Sequence, residues 1–299
     1  MIDNINWYPG HMKKTRELIQ ENLKMVDAVI EVIDARIPIS SRNPIIDELV
    51  KSKPRIIVLN KSDLADDKAV KDWAETFRRQ GNKALAMNCM SGTGSKELFR
   101  LLSSMEAEKN KDKVRQKPYR LMIVGVPNVG KSTFTNRING ASIARTGDRP
   151  GVTRSNQWVR ITPYLELLDT PGLLWPNLSD QQDARALAFV GTINDNIMDQ
   201  QMLAIRLMER LMEDHADALT TRFKLKNNAL RGVPLLEEAC RCRGWLLPGG
   251  VCDTDRGAAV ILDEFRAGKL GRITLQKAPV QAPKETTPMR EAKKEEQTS

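Results

Sequence analysis

The chain has 299 residues, a net charge of +9 and an apolar fraction of 40%, room for one α/β domain of about 150 to 180 residues and a smaller second one. No stretch approaches the roughly 20 continuous apolar residues of a membrane span, and residues 1–20 lack the apolar core of a secretory signal, so a protein working in a reducing cytoplasm is expected. The basic balance favours a polyanionic partner, while three Tyr and six Phe leave little for base stacking, so backbone and shape contacts would dominate any RNA binding.

In chain order, residues 11 to 24 predict an amphipathic helix, with Met12, Ile19 and Leu23 near helical spacing and Pro9-Gly10 before it. Residues 26–34 are β-branched and mostly apolar, the pattern of a strand buried in a parallel sheet. Arg55 to Leu59 repeats it and runs into Asn60-Lys61-Ser62-Asp63. A helix near 67–79, a strand from Ala84 to Asn88 and a helix ending about Leu102 follow. Strand and helix alternate, as doubly wound α/β folds require.

A Lys-rich, hydrophilic stretch over about 105–118 reads as a join. Beyond it, Tyr119 to Val124 is a strand entering Gly125-Val126-Pro127-Asn128-Val129-Gly130-Lys131-Ser132, and a helix runs from Lys131 to about Asn139. A Gly- and Arg-containing loop covers 141–155, and two short strands fill 156–169, ending at Asp169-Thr170-Pro171-Gly172. After that the apolar residues fall at helical spacing (Leu203, Leu207, Leu211; Val260, Ile261, Phe265). The organisation expected is an α/β domain over 1–179, an all-α domain over 180–276 and a disordered tail over 277–299.

The glycine loop, between a strand and a helix, is a phosphate loop. Backbone N–H groups over Asn128, Val129, Gly130, Lys131, Ser132 and Thr133 converge on phosphates, Lys131 neutralises the β and γ oxygens, and Ser132 offers a hydroxyl to Mg2+. By itself this motif does not separate GTP from ATP. The second motif decides, because Asp63 at the carboxyl end of an apolar strand can accept from guanine N1 and its exocyclic amine, a donor pair that adenine lacks. Asn60 would brace the neighbouring loop and Lys61 would lie over the base. Asn88-Cys89 stands where a backbone donor for guanine O6 is needed. Asp169 is expected to hold Mg2+ through water, and the Gly172 N–H to meet the γ-phosphate. Thr153 is the first candidate for a switch hydroxyl on Mg2+, and Thr146 the second. Cys240, Cys242 and Cys252 with His215 are metal-type ligands without a CxxC pairing, so thiols without zinc are expected.

These motifs do not stand in the usual order: NKSD comes first, the phosphate loop second and DTPG third. The expected fold is therefore a doubly wound P-loop GTPase sheet, circularly permuted, with a C-terminal all-α domain. Together with Trp7-Tyr8-Pro9-Gly10-His11-Met12, Asp34-Ala35-Arg36-Ile37-Pro38 and Gly268-Lys269-Leu270-Gly271-Arg272, the order resembles that of the circularly permuted ribosome-biogenesis GTPases, the YlqF/RbgA subfamily above all. The resemblance covers roughly residues 5–275. It implies GTP/GDP as ligand, hydrolysis stimulated by ribosomal particles, and a large ribosomal subunit precursor with its rRNA as partner of a monomer. A small-subunit assembly GTPase and a nucleotide-gated RNA-binding module with incidental hydrolysis are the alternatives.

Leu173 follows DTPG where Ras-like enzymes carry a water-orienting Gln. The helix starting near His11 precedes the strand that, in unpermuted order, follows the switch II helix, so its N-terminus should lie at the nucleotide edge. His11 then has two roles open, orienting water as the resemblance implies for the PGH histidine, or capping the helix. Asn128 likewise either holds K+ beside the phosphates, as in potassium-stimulated GTPases, or stabilises the loop.

Overall fold

In the computed structural model, residues 10–143, 157–170, 181–193 and 199–279 are described. Helix α1 (Gly10–Leu23) leads into strand β1 (Ala28–Asp34), followed by α2 (Pro44–Leu49), β2 (Arg55–Asn60), α3 (Asp67–Arg79), β3 (Lys83–Ala86), α4 (Ser95–Asn110), β4 (Tyr119–Val124), α5 (Lys131–Ile143), β5 (Gln157–Thr162) and β6 (Leu165–Asp169). Helices then take over: α6 (Gln181–Phe189), α7 (Gln200–Asp214), α8 (Ala216–Phe223), α9 (Val233–Arg243) and α10 (Thr254–Arg266).

The six strands form one sheet in the order β3-β2-β1-β4-β6-β5, parallel except for β5, which pairs antiparallel with β6. The strand feeding the phosphate loop, β4, lies in the middle. Its neighbour β1 comes from the N-terminal end of the chain, so the domain is entered on one side of the glycine loop and completed on the other, as a circular permutation requires.

Strand β1 is buried along its whole length because both faces are covered. On one face α1 packs Ile19 and Leu23 against Val29, Met122, Val124 and Leu168, and α3 packs Val70, Trp73 and Phe77 against Ile33, Ile57 and Leu59. On the other, Leu98, Leu102 and Met105 of α4 and Phe134 and Ile138 of α5 meet Ile30, Val32, Ile56 and Ile123. The alternation of Ala28, Ile30 and Val32 against Val29 and Ile33 is the period-two consequence of the pleat. One charge is tolerated inside: Glu31, fully buried, is met by Arg42 at 3.3 Å and Arg55 at 3.2 Å, which offsets its desolvation.

Three expectations shift. Helix α4 runs to Asn110 rather than about Leu102, so the join shrinks from 105–118 to 111–118. Met105 continues the buried stripe of Leu98 and Leu102, and Asn110 closes the connection by bonding Lys117 through both its amide oxygen and nitrogen. Helix α2 went unread, its start being set by Asn43, whose side chain accepts from the Ile45 N–H, followed by Pro44. Third, the chain after α10 is not helical. It turns at Gly268 (φ +72°) and returns over the sheet domain, where the Ile273 N–H donates to Leu64 O at 3.0 Å and the Leu275 N–H to Arg36 O at 2.8 Å. Lys277, assigned to the tail, pairs with Asp214 at 2.9 Å; residues 280–299 lie outside the described ones. The apolar cluster is continuous from the sheet through Leu187, Leu203, Leu207, Ile261 and Phe265.

Candidate nucleotide site

At the carboxyl end of β4 the chain turns at Gly125 (φ +152°), where a Cβ would stand 2.4 Å from Val32 O, and enters α5 through Gly130 (φ +97°), where a Cβ would stand 2.4 Å from Asn60 Nδ2. Neither position admits a side chain without displacing its neighbour. Asn128, between them, takes a left-handed φ of +60°, a conformation Asn tolerates better than most residues. The loop thereby delivers its amides to the start of α5, where the unpaired N–H groups and helix dipole favour anions.

The Lys131 ammonium donates to Gly125 O (3.0 Å) and Val126 O (2.8 Å), both neutral acceptors. Burial pulls it down to about 8, against an opposing pull from Asp169. Asp169 is buried at the end of β6, one strand over from the loop, and Ser132 is exposed on the first turn of α5. A carboxylate and a hydroxyl make a donor set of the hard oxygen type that Mg2+ takes.

Asn60, the last residue of β2, ties three segments together. Its Nδ2 donates to Val129 O at 2.8 Å and its Oδ1 accepts from the Cys89 N–H at 3.1 Å. Lys61 (φ +58°) donates to Asn128 O at 2.8 Å and pairs with Asp34 at 2.9 Å. Asp63 is exposed. So NKSD and the phosphate loop, about 65 residues apart in sequence, are joined by two side chains of the former. The Cys89 amide, expected to face guanine O6, donates to Asn60, and Asn88 Oδ1 accepts from Met90 N (2.8 Å) and Ser91 N (3.0 Å). Burial pushes the Cys89 thiol up to about 12, leaving it a packing group.

His11 is the second residue of α1. That helix spans about 21 Å at ~1.5 Å per residue and reaches β1 through a short turn, a length that would return its N-terminus towards the carboxyl ends of the parallel strands if it runs antiparallel to them. Thr153, Thr146, Gly172 and Leu173 lie outside the described residues.

Several residues at this site carried no signal of their own in the sequence. Asp34 is buried and clasped by Arg36 through Nε (2.9 Å) and Nη2 (2.8 Å), and Arg36 extends to Arg266 O (3.3 Å) and over the Phe265 ring. Arg137 of α5 donates to Cys89 O at 3.0 Å and also to Met90 O, steadying the guanine-side loop from the phosphate side. The Asn128 amide donates to Gly191 O, between α6 and α7, at 2.8 Å. Of these, the sequence marked the DAR triplet and Asn128, each only through a resemblance, and it marked none of their contacts.

A family model described as "50S ribosome-binding GTPase" matches residues 120–225. The ribosome biogenesis GTPase A of Bacillus cereus is 42% identical over 277 residues, covering 91% of this chain and 93% of the relative. The chain belongs to the ribosome biogenesis GTPase A (YlqF/RbgA) family. The Thermotoga maritima member is 32% identical over 287 residues, with 96% of this chain and 98% of the relative covered. A crystal structure of GNP-bound YlqF from T. maritima superposes with a TM-score of 0.62 at 28% identity, covering 89% of this chain and 98% of that one. As a member of this family the protein is a GTPase built on a permuted P-loop domain, and GTP and GDP are its nucleotides. No helix among the described residues is long and apolar enough to cross a membrane.

Proposed function

We propose that the protein acts in the cytoplasm as a monomeric GTP-hydrolysing assembly factor in late maturation of the large ribosomal subunit, its nucleotide state coupled to binding of rRNA. The observation that carries the coupling is the Asn128–Gly191 bond at 2.8 Å: a phosphate-loop side chain holds the turn between two helices of the C-terminal region. Support for the large subunit comes from the family relationship and from the 50S-binding description of the matching model.

In this reading the amides from Asn128 to Thr133, with Lys131, hold the phosphates, and Asn60, Lys61, Asp63, Asn88 and Cys89 form the guanine side. Ser132, Thr153 and Asp169 are the residues that would hold Mg2+, which when bound neutralises charge on the β- and γ-phosphate oxygens. His11 orients the attacking water from the start of α1, and the Gly172 N–H faces the γ-phosphate. Asn128 Oδ1, its amide nitrogen being engaged by Gly191, is the oxygen offered to K+.

Arg206, Arg210, Arg222 and Arg241 each pair with acidic residues of the helical region, whereas Lys224, Lys226 and Arg231 project from an exposed turn between α8 and α9. That turn is the proposed phosphate-contacting surface.

GTP turnover measured alone, with small subunits and with large-subunit precursors tests the proposal, alongside cosedimentation in GDP and in a nonhydrolysable analogue. Stimulation confined to large-subunit particles and nucleotide-dependent cosedimentation are expected. Equal turnover under all three conditions would refute it.

A further inference from the structure

The NKSD loop is held from outside by the segment that follows α10. Arg272 sends its Nη2 to Ser62 O (2.8 Å) and its Nε to Ala65 O (2.9 Å), and pairs with Asp67 at 2.7 Å. On either side of it, the Ile273 N–H donates to Leu64 O (3.0 Å), the Thr274 hydroxyl accepts from the Asp66 N–H (3.1 Å), and Gly268 comes so near Leu64 that a Cβ there would stand 2.7 Å from its Cδ2. The carbonyls at 62, 64 and 65 bracket Asp63, the carboxylate proposed to read guanine. The loop's own bonds are few: Ser62 N to Met87 O at 3.2 Å and Leu64 N to Lys61 O at 2.9 Å.

We propose that Arg272 is a positioning residue for base specificity: its planar fork sets the carbonyls flanking Asp63, so discrimination for guanine depends on the C-terminal segment. By reciprocity, guanine binding must tighten the clasp between that segment and the NKSD loop. The loop is short and Asp63 within it is exposed, and a carboxylate that must meet two donors on one base edge is sensitive to small displacements. Lysine cannot replace the fork, because a point ammonium does not reach two carbonyls and a carboxylate in one plane. The inference rests on the nucleotide site proposed above and gives the C-terminal GKLGR ending a physical role.

The test compares affinities for GDP and for IDP, which keeps N1–H but lacks the exocyclic amine. Tight GDP binding by the wild type tests the nucleotide site itself; the change of ratio on substitution tests Arg272. In Arg272→Ala, GDP affinity is expected to fall about tenfold, consistent with one or two lost charge-assisted bonds, and IDP affinity less, so that the GDP/IDP ratio narrows; Arg272→Lys should not restore it. A folded Arg272→Ala with the wild-type ratio, or restoration by Lys, would overturn the proposal. Should the variant not fold, hydrogen exchange on the wild type decides: GDP must slow exchange at the Ile273 and Asp66 amides, and unaltered exchange there overturns it.

Discussion

Asn128 of the phosphate loop and Gly191 of the α6–α7 turn are joined by one hydrogen bond of 2.8 Å, amide to carbonyl. Gly191 (φ +76°) lies against Arg266, a Cβ there standing 3.3 Å from its Nε, and Arg266 in turn donates to Ala188 O and Phe189 O. The phosphate loop is therefore fastened to the α6 and α10 region, and its Asn side chain is held in one orientation.

Replacing Asn128 by Gly keeps the left-handed backbone at φ +60° while removing the amide. Hydrolysis in K+ should fall by about tenfold or more, and the advantage of K+ over Na+ should vanish. Initial rates in the two salts, for wild type and variant, check this; a retained K+ advantage in Asn128→Gly contradicts the cation role.

Lys131 predicts a pH dependence of nucleotide binding. Burial lowers its ammonium to about 8, and polyphosphate charge would raise it again on binding. Below about 8 the lysine is charged both free and bound, so affinity is flat. Above that value the free protein loses the proton and the complex takes it back, so GDP affinity should fall as pH rises. The same lowering destabilises the free fold below about 8, a penalty that fades towards the ordinary value of 10.5. Titration calorimetry in buffers of different ionisation enthalpy should show proton uptake at pH 9 and none at pH 7.

His11→Ala should leave GDP affinity within about twofold and slow single-turnover GTP hydrolysis in the presence of large-subunit particles by about a hundredfold. A helix-capping histidine would instead lower the melting temperature and spare the rate. Both quantities measured on one preparation separate the two.

Arg36→Ala takes the guanidinium clasp from Asp34, a carboxylate 0% exposed, leaving Lys61 of the two cations that pair with it, and removes the bridge to Phe265 and Arg266. The expected cost is about 3–5 kcal/mol, or roughly 6–15 °C in Tm. In the wild type, burial pushes the Asp34 carboxyl upward, but the charges of Arg36 and Lys61 outweigh this and hold it well below the usual carboxylate range. Its stabilising contribution is therefore fully present above the ordinary value of 3.8 and fades only in stronger acid. Acid unfolding of Arg36→Ala should accordingly begin at higher pH than that of the wild type.

Much of the architecture was legible from local pattern. Strands over 26–34, 55–59 and 119–124 fell within two residues of β1, β2 and β4 because continuous β-branched runs can be buried on both faces in only one way. The helix at 67–79 matched α3, whose Val70, Trp73 and Phe77 recur at helical spacing on one buried side. The order NKSD, phosphate loop, DTPG already carried the permutation, since motif order is a property of the chain itself. Helix α2 and the end of α4 were missed: a six-residue helix is too short to display a period, and the Lys-rich turns of α4 look like a linker until Met105 is seen buried.

Chemical identity at each motif was thus written in the residues: glycines where a Cβ cannot fit, and the lysine and carboxylate proposed for the phosphates and for guanine. Which groups hold those motifs in place was decided only by the tertiary structure. Asn60 bridging to Val129 and Cys89, Lys61 to Asp34, Asn128 to Gly191, and Arg272 to the NKSD loop are contacts between residues 27 to 210 positions apart. Spacing along a chain encodes helical and strand periods, but no period links positions so far apart; their partnership exists only once sheet order and helix packing have brought them together.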